Sequence, residues 1–107
     1  MSKYKAKRTE VDGITFDSKR EAARYQELKL WARSGGVRNI RCQVAYWLTV
    51  QDKKIGRYVA DFVYQEYHPK HQSWSEVVED CKGFRTPMYR WKKKHVEAQY
   101  GIQIRET

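Results

Sequence analysis

Cysteine and proline are scarce in this chain, with two of each in 107 residues. Cys42 and Cys81 stand far apart, and nothing marks them as a disulfide framework. Reduced thiols and a cytoplasmic location are the simplest expectation. Apolar runs are short, and none approaches the ~20 residues that span a bilayer. No membrane association is therefore expected. The first eight residues, Met1-Ser2-Lys3-Tyr4-Lys5-Ala6-Lys7-Arg8, are basic with no apolar stretch behind them, unlike a signal peptide. Gly-rich phosphate loops, GxSxG and HExxH are absent. His68 and His71 with the two cysteines lack the close ligand pairs of a structural zinc site. Acidic residues are also few: 13 Asp and Glu against 22 Lys and Arg, a net charge of +9. Such an excess favours polyanions, with nucleic acid ahead of acidic proteins or a merely solvated basic surface. Aromatics are plentiful (four Trp, eight Tyr, three Phe), which argues against disorder.

The pattern predicts one domain. Residues 1–10 read as a flexible basic arm and 11–107 as a single folded unit. Asp12-Gly13 suits a turn before a short extended piece, Ile14-Thr15-Phe16. Ser18 with Glu21 three residues on forms a capping box. It opens a helix expected to reach about residue 33, with Ala22, Tyr25, Leu28 and Ala32 as its apolar stripe, and to stop at Ser34-Gly35-Gly36. Ile40, Cys42, Val44, Tyr46, Leu48 and Val50 then alternate along a strand. Gln51 to Lys54 reads as a hairpin turn, Ile55 to Tyr67 as the second strand, and Trp74 to Lys82 as the third, ended by Gly83. Thr86-Pro87 starts a second helix that runs to about Tyr100-Gly101. Met88 and Trp91, with His95 at the edge, are expected to be its buried stripe. Ile102-Gln103-Ile104 adds a closing strand. The expected fold is α+β: a mixed sheet of three meander strands and a short closing strand, flanked by two helices.

Asp61 follows the run Arg57-Tyr58-Val59-Ala60, and Asp80-Cys81-Lys82 ends the run Ser75-Glu76-Val77-Val78-Glu79. Strand residues two apart share a face, so Asp80 and Lys82 stand side by side and Glu79 points to the other face. Two carboxylates about 4 Å apart repel by about 4 kcal/mol at an effective dielectric of 20. A phosphate beside them adds to that repulsion, so a hard cation would make sense of such a cluster on a DNA-binding surface. Mg²⁺ takes oxygen ligands of this kind, and Mn²⁺ is the expected substitute. Lys82 would orient a water or steady developing negative charge. On spacing alone an ordinary salt bridge, contributing up to about 1 kcal/mol, explains the pattern as well. Glu21 is a third candidate carboxylate, although its capping role already accounts for it. Gln43 is a secondary candidate on the first long strand.

The wording Asp12-Gly-Ile-x-Phe16-Asp-Ser-Lys-x-Glu21-Ala22, Val59-Ala-Asp61-Phe62 and Val77-Val-Glu-Asp80-Cys-Lys82-Gly83-Phe84 resembles the PD-(D/E)XK nuclease superfamily, and within it short phage and prophage proteins. Ala60 stands where the superfamily's name has proline. The resemblance implies a restriction-endonuclease-like core and divalent-metal-dependent hydrolysis of phosphodiester bonds. It implies Asp61 and Asp80 as metal ligands and Lys82 as the catalytic lysine. Glu21 takes the place of the first-helix glutamate of Holliday junction resolvases. Branched or junction DNA, a homodimer and the cytoplasm of a bacterial host are the further expectations it carries. Phosphate contacts are expected from Lys3, Lys5, Lys7 and Arg8 on the arm and from Arg85, Arg90, Lys93 and Lys94 around the second helix. Two other readings stand beside this one: a non-catalytic basic nucleic-acid-binding module, and a phage protein that binds a host protein.

Overall fold

A computed structural model describes residues 8–82 and 84–107. The chain runs β1 (Thr9–Val11), β2 (Ile14–Phe16), α1 (Lys19–Arg33), β3 (Val37–Val50), β4 (Lys53–His68), β5 (Ser73–Asp80), α2 (Pro87–Tyr100) and β6 (Ile104–Glu106). The fold is α+β. Strands β3, β4 and β5 form an antiparallel meander, and β6 adds in parallel to β5, giving the order β3-β4-β5-β6. Parallel pairing requires a crossover, and α2 supplies it. β1 and β2 make a separate hairpin. Thr9 and Glu10, expected in the basic arm, therefore belong to a strand. Lys3, Lys5, Lys7 and the strand-ending Gly83 lie outside the described residues.

Local chemistry sets the boundaries. Ser18 Oγ accepts the Glu21 backbone N–H at 3.1 Å and fixes the start of α1. Thr86 Oγ1 does the same for the Tyr89 N–H at 3.0 Å, with Pro87 at the first helical position. Gly101 closes α2 in the left-handed region, φ 66°. Gln51 and Asp52 both have positive φ, as a two-residue type I′ hairpin needs, so the turn is tighter than expected and Lys53 and Lys54 already belong to β4.

The sheet carries a helix on each face. Ala22 and Leu28 of α1 pack with Phe16, Phe62, Tyr64, Val77 and Cys81 on one face. Tyr89 and Val96 of α2 pack with Leu48, Tyr58, Ala60, Val63, Val78 and Ile104 on the other. Tyr89 and Val96, seven apart, are thus the buried stripe of α2. The expected stripe is corrected: Met88 and Trp91 remain 61% and 46% exposed. Helical spacing alone could not choose between two stripes that each carry an aromatic.

The side-chain alternation changes phase in mid-strand on both β3 and β4. Ile40 and Cys42 face the α1 side, whereas Val44, Tyr46 and Leu48 face the α2 side. On β4, Tyr58 and Ala60 face α2, whereas Phe62 and Tyr64 face α1. Gln43, with φ 56°, and Asp61 lie between the rungs Cys42↔Phe62 and Val44↔Ala60, where the phase changes. The β4–β5 ladder ends at Phe62↔Glu79, one residue before Asp61. The catalytic candidates therefore sit where two strands stop pairing.

Phe16 is fully buried between the β1–β2 hairpin, α1 and the sheet, its ring centroid 5.2 Å from Tyr25 and 6.1 Å from Phe62. Phe16→Ala is expected to cost about 3–5 kcal/mol in urea unfolding.

Candidate active site

Asp61 reaches across the end of the β4–β5 ladder, and its Oδ2 accepts the Cys81 backbone N–H at 2.7 Å. A side chain thus replaces a missing rung and satisfies a buried donor. Asp80 is fully buried on the α2 face. Its Oδ2 accepts the Tyr58 hydroxyl at 2.5 Å. Its Oδ1 lies 3.4 Å from Lys82 Nζ, an ionic contact without hydrogen-bond geometry, and has no donor. Lys82 Nζ also stands 4.9 Å over the Tyr89 ring. The side-by-side placement expected for Asp80 and Lys82 is what the fold adopts, although β5 itself ends at Asp80.

Glu21 keeps part of its expected capping role. Its Oε1 receives the Ser18 hydroxyl at 3.4 Å, while its buried Oε2 has no hydrogen-bond partner. Burial and then Asp17 push its carboxyl upward, opposed by Lys82, with a smaller upward push from Asp80. Asp61 is pushed from the ordinary 3.8 up to about 8, first by burial, then by hydrogen bonding to and repulsion from Asp80, with Glu21 adding to it. Burial and then Asp80 hold the Tyr58 hydroxyl protonated far above its usual range. Glu21, Asp61, Asp80 and Lys82 are therefore one electrostatic unit drawn from α1, β4 and the end of β5.

All the donors in this unit are oxygen, the chemistry of a hard divalent ion. With the carboxylates ionised, Glu21 Oε2 and Asp80 Oδ1 accept no hydrogen bond, and Asp61 is held protonated by burial and the same crowding; a cation would relieve all three. Among the described residues no three His, Cys, Asp or Glu side chains are already spaced as a metal cage. The residues fit an ion that takes one or two carboxylates and completes its shell with water and substrate oxygens, as Mg²⁺ does.

The adjacent Glu79 is fully buried on the α1 face, as its alternation requires. It is also saturated. Arg24 clamps it through Nε at 2.7 Å and a terminal nitrogen at 3.0 Å, Tyr64 donates at 2.5 Å, and Thr107 donates at 3.0 Å. Burial alone would raise the Glu79 carboxyl, but these partners outweigh it and hold it below the usual range. Arg24 is one helical turn from Glu21, so the clamp fixes α1 against β5 and with it the position of Glu21. Sequence reading missed Arg24 and Tyr58. The inward-facing Glu79 was the available signal for a buried cation partner. The phase change on β4 hid Tyr58, which simple alternation would put on the other face from Asp80.

The expected phosphate-binding residues divide. Arg8, Arg90 and Lys94 are exposed. Arg85 and Lys93 instead approach Glu106, at 3.0 and 3.9 Å, and are partly neutralised there. Arg57 and Lys92, not singled out from the sequence, join Lys82 along an open groove of about 300 Å³ beside the carboxylates.

Residues 1–107 match the model of a protein family of unknown function, DUF1064. The chain belongs to that family. No curated protein and no solved structure matches it. The geometry of this DUF1064 member therefore carries the functional argument.

A raised carboxyl stabilises the fold below its unfolded value and loses that contribution as pH rises through its folded value. For Asp61 the window runs from about 4 to about 8. A divalent ion held here would replace the proton, so millimolar Mg²⁺ or Mn²⁺ should raise Tm by several degrees more at about pH 8 than at about pH 5. Differential scanning fluorimetry with and without metal checks this, and Asp61→Asn should remove the pH dependence of the metal effect. Glu79→Ala, which leaves Arg24 without its carboxylate, should cost about 3–5 kcal/mol in the same protein unfolded by urea.

Proposed function

We propose that this protein is a divalent-metal-dependent endodeoxyribonuclease of PD-(D/E)XK type, acting on branched or junction DNA in the cytoplasm of a bacterial host. The observation that carries the reading is the fully buried Asp80, whose Oδ1 lies 3.4 Å from the Lys82 ammonium and whose charge adds to burial in pushing the Asp61 carboxyl upward.

Asp61 and Asp80 would hold the ion, with Glu21 as the third carboxylate. When bound, Mg²⁺ neutralises this charge, polarises a phosphoryl oxygen and lowers the pKa of a coordinated water. The chain's own residues do the rest. Tyr58 fixes the rotation of Asp80 by donating to Oδ2, so Oδ1 would be the oxygen left for the ion. The Cys81 N–H fixes Asp61 in the same way. Lys82, half-buried and next to Asp80, donates a proton-bearing ammonium to the attacking water or to the phosphorane oxygens as charge develops. The +9 balance brings the polyanion to the site.

One observation favours the non-catalytic module instead: Lys82 and Asp80 already form an ion pair, as a purely structural bridge would. Cleavage of end-labelled four-way junction, flap, duplex and single-stranded DNA with Mg²⁺ or Mn²⁺ separates the two. Asp80→Asn and Lys82→Ala should each lower hydrolysis by about 10³-fold or more. Asp80→Asn should bind DNA as well as the wild type or better, because a repelling charge is gone. A folded wild-type protein that cleaves none of the four substrates refutes the nuclease reading.

A further inference from the structure

Exposed apolar side chains that cluster together, unlike scattered ones, mark a contact surface. Around the start of α2 there are three: Phe84, Met88 and Trp91, exposed by 79%, 61% and 46%. Met88, Trp91, Lys92 and His95 fall on one side of the helix by their spacing. Trp91 and His95 hold their rings 5.5 Å apart. This side borders the groove lined by Arg57, Tyr58, Lys82, Met88, Tyr89 and Lys92. The groove opens from the active site itself, since Tyr58 and Lys82 both touch Asp80.

Its charge is of one sign. Arg57, Lys82 and Lys92 line it, and no carboxylate does among the described residues. Arg57 and Lys92 make no ion pair among the described residues, whereas Arg85 and Lys93 are held by Glu106. Two cations without an ion pair among the described residues, beside an apolar ridge, match a ligand with anionic and flat apolar parts. A base-paired duplex offers its phosphates but keeps its base faces stacked inside. A single strand offers both. The volume, about 300 Å³, suits one nucleotide rather than a helix.

We propose that this groove binds an unstacked nucleotide of a single DNA strand leading into the active site, with its phosphates on Arg57 and Lys92 and its base against the Met88–Trp91 ridge. The proposal rests on the nuclease reading for the direction of the strand, and it names the substrate class: DNA with a single-stranded segment next to the cut.

The test measures binding by fluorescence anisotropy in EDTA, so that no cleavage intervenes. The probes are a labelled single strand, the same length of abasic strand and the corresponding blunt duplex. The wild type should hold the base-bearing strand about tenfold or more tighter than the abasic strand. Met88→Ala/Trp91→Ala should erase that difference while abasic binding and Tm stay unchanged. Both side chains are exposed, so the variant keeps its fold. Arg57→Ala should lower the slope of log affinity against log salt by about 0.7 on either single strand. Equal binding of base-bearing and abasic strands, or preference for the duplex, overturns the proposal. So does a monomer–dimer equilibrium that the double variant abolishes, since the ridge would then belong to a second copy of the chain. A protein that cleaves DNA with Mg²⁺ yet ignores the bases refutes the groove alone. One that discriminates bases but never cleaves refutes hydrolysis and leaves the groove supported.

Discussion

The hydrogen bond from the Cys81 backbone to the Asp61 side chain holds the site together. It lies where β4 and β5 cease to pair and where the alternation of β4 inverts. A backbone rung there would have closed the sheet and left no room beside Asp80. A carboxylate in its place closes the same hydrogen bond yet keeps a second oxygen for other work. The strand end, the buried acid and the opening toward solvent thus arise from one substitution of side chain for backbone.

Neighbouring carboxylates on β5 show how burial alone does not decide chemistry. Glu79 and Asp80 are equally inaccessible, one on each face. Glu79 has a bidentate guanidinium and two hydroxyls, so its charge is fully compensated and its role is to hold α1 against the sheet. Asp80 has one phenol, an ammonium at ionic range and an oxygen left over. The incompletely compensated acid is the one the proposed chemistry would use, and the complete set of partners around its neighbour holds α1 against β5.

Much of this was legible in the sequence because it depends on local rules. Ser18, Thr86, Pro87 and Gly101 mark helix ends through backbone donors and a left-handed residue, and each sits where the pattern puts it. The spacing of Asp80 and Lys82 needs only the two-residue repeat of a strand. What failed needed tertiary information. The buried face of α2 was misjudged because Tyr89 and Trp91 offer competing apolar stripes, and only the sheet beneath decides between them. Tyr58 was missed because Gln43 and Asp61 shift the repeat in mid-strand, which no count of alternating residues reveals. Arg24 was missed because its partner lies 55 positions away in the chain.

Among the described residues, strand β3 forms an edge of the four-stranded sheet, and its outer side meets no other strand. Fourteen residues of open edge would invite another extended chain to zip on. The left-handed residues Asn39 and Gln43 break that edge into short, misaligned stretches. The change of phase beside Asp61 therefore also interrupts the regular edge that amyloid-like stacking needs.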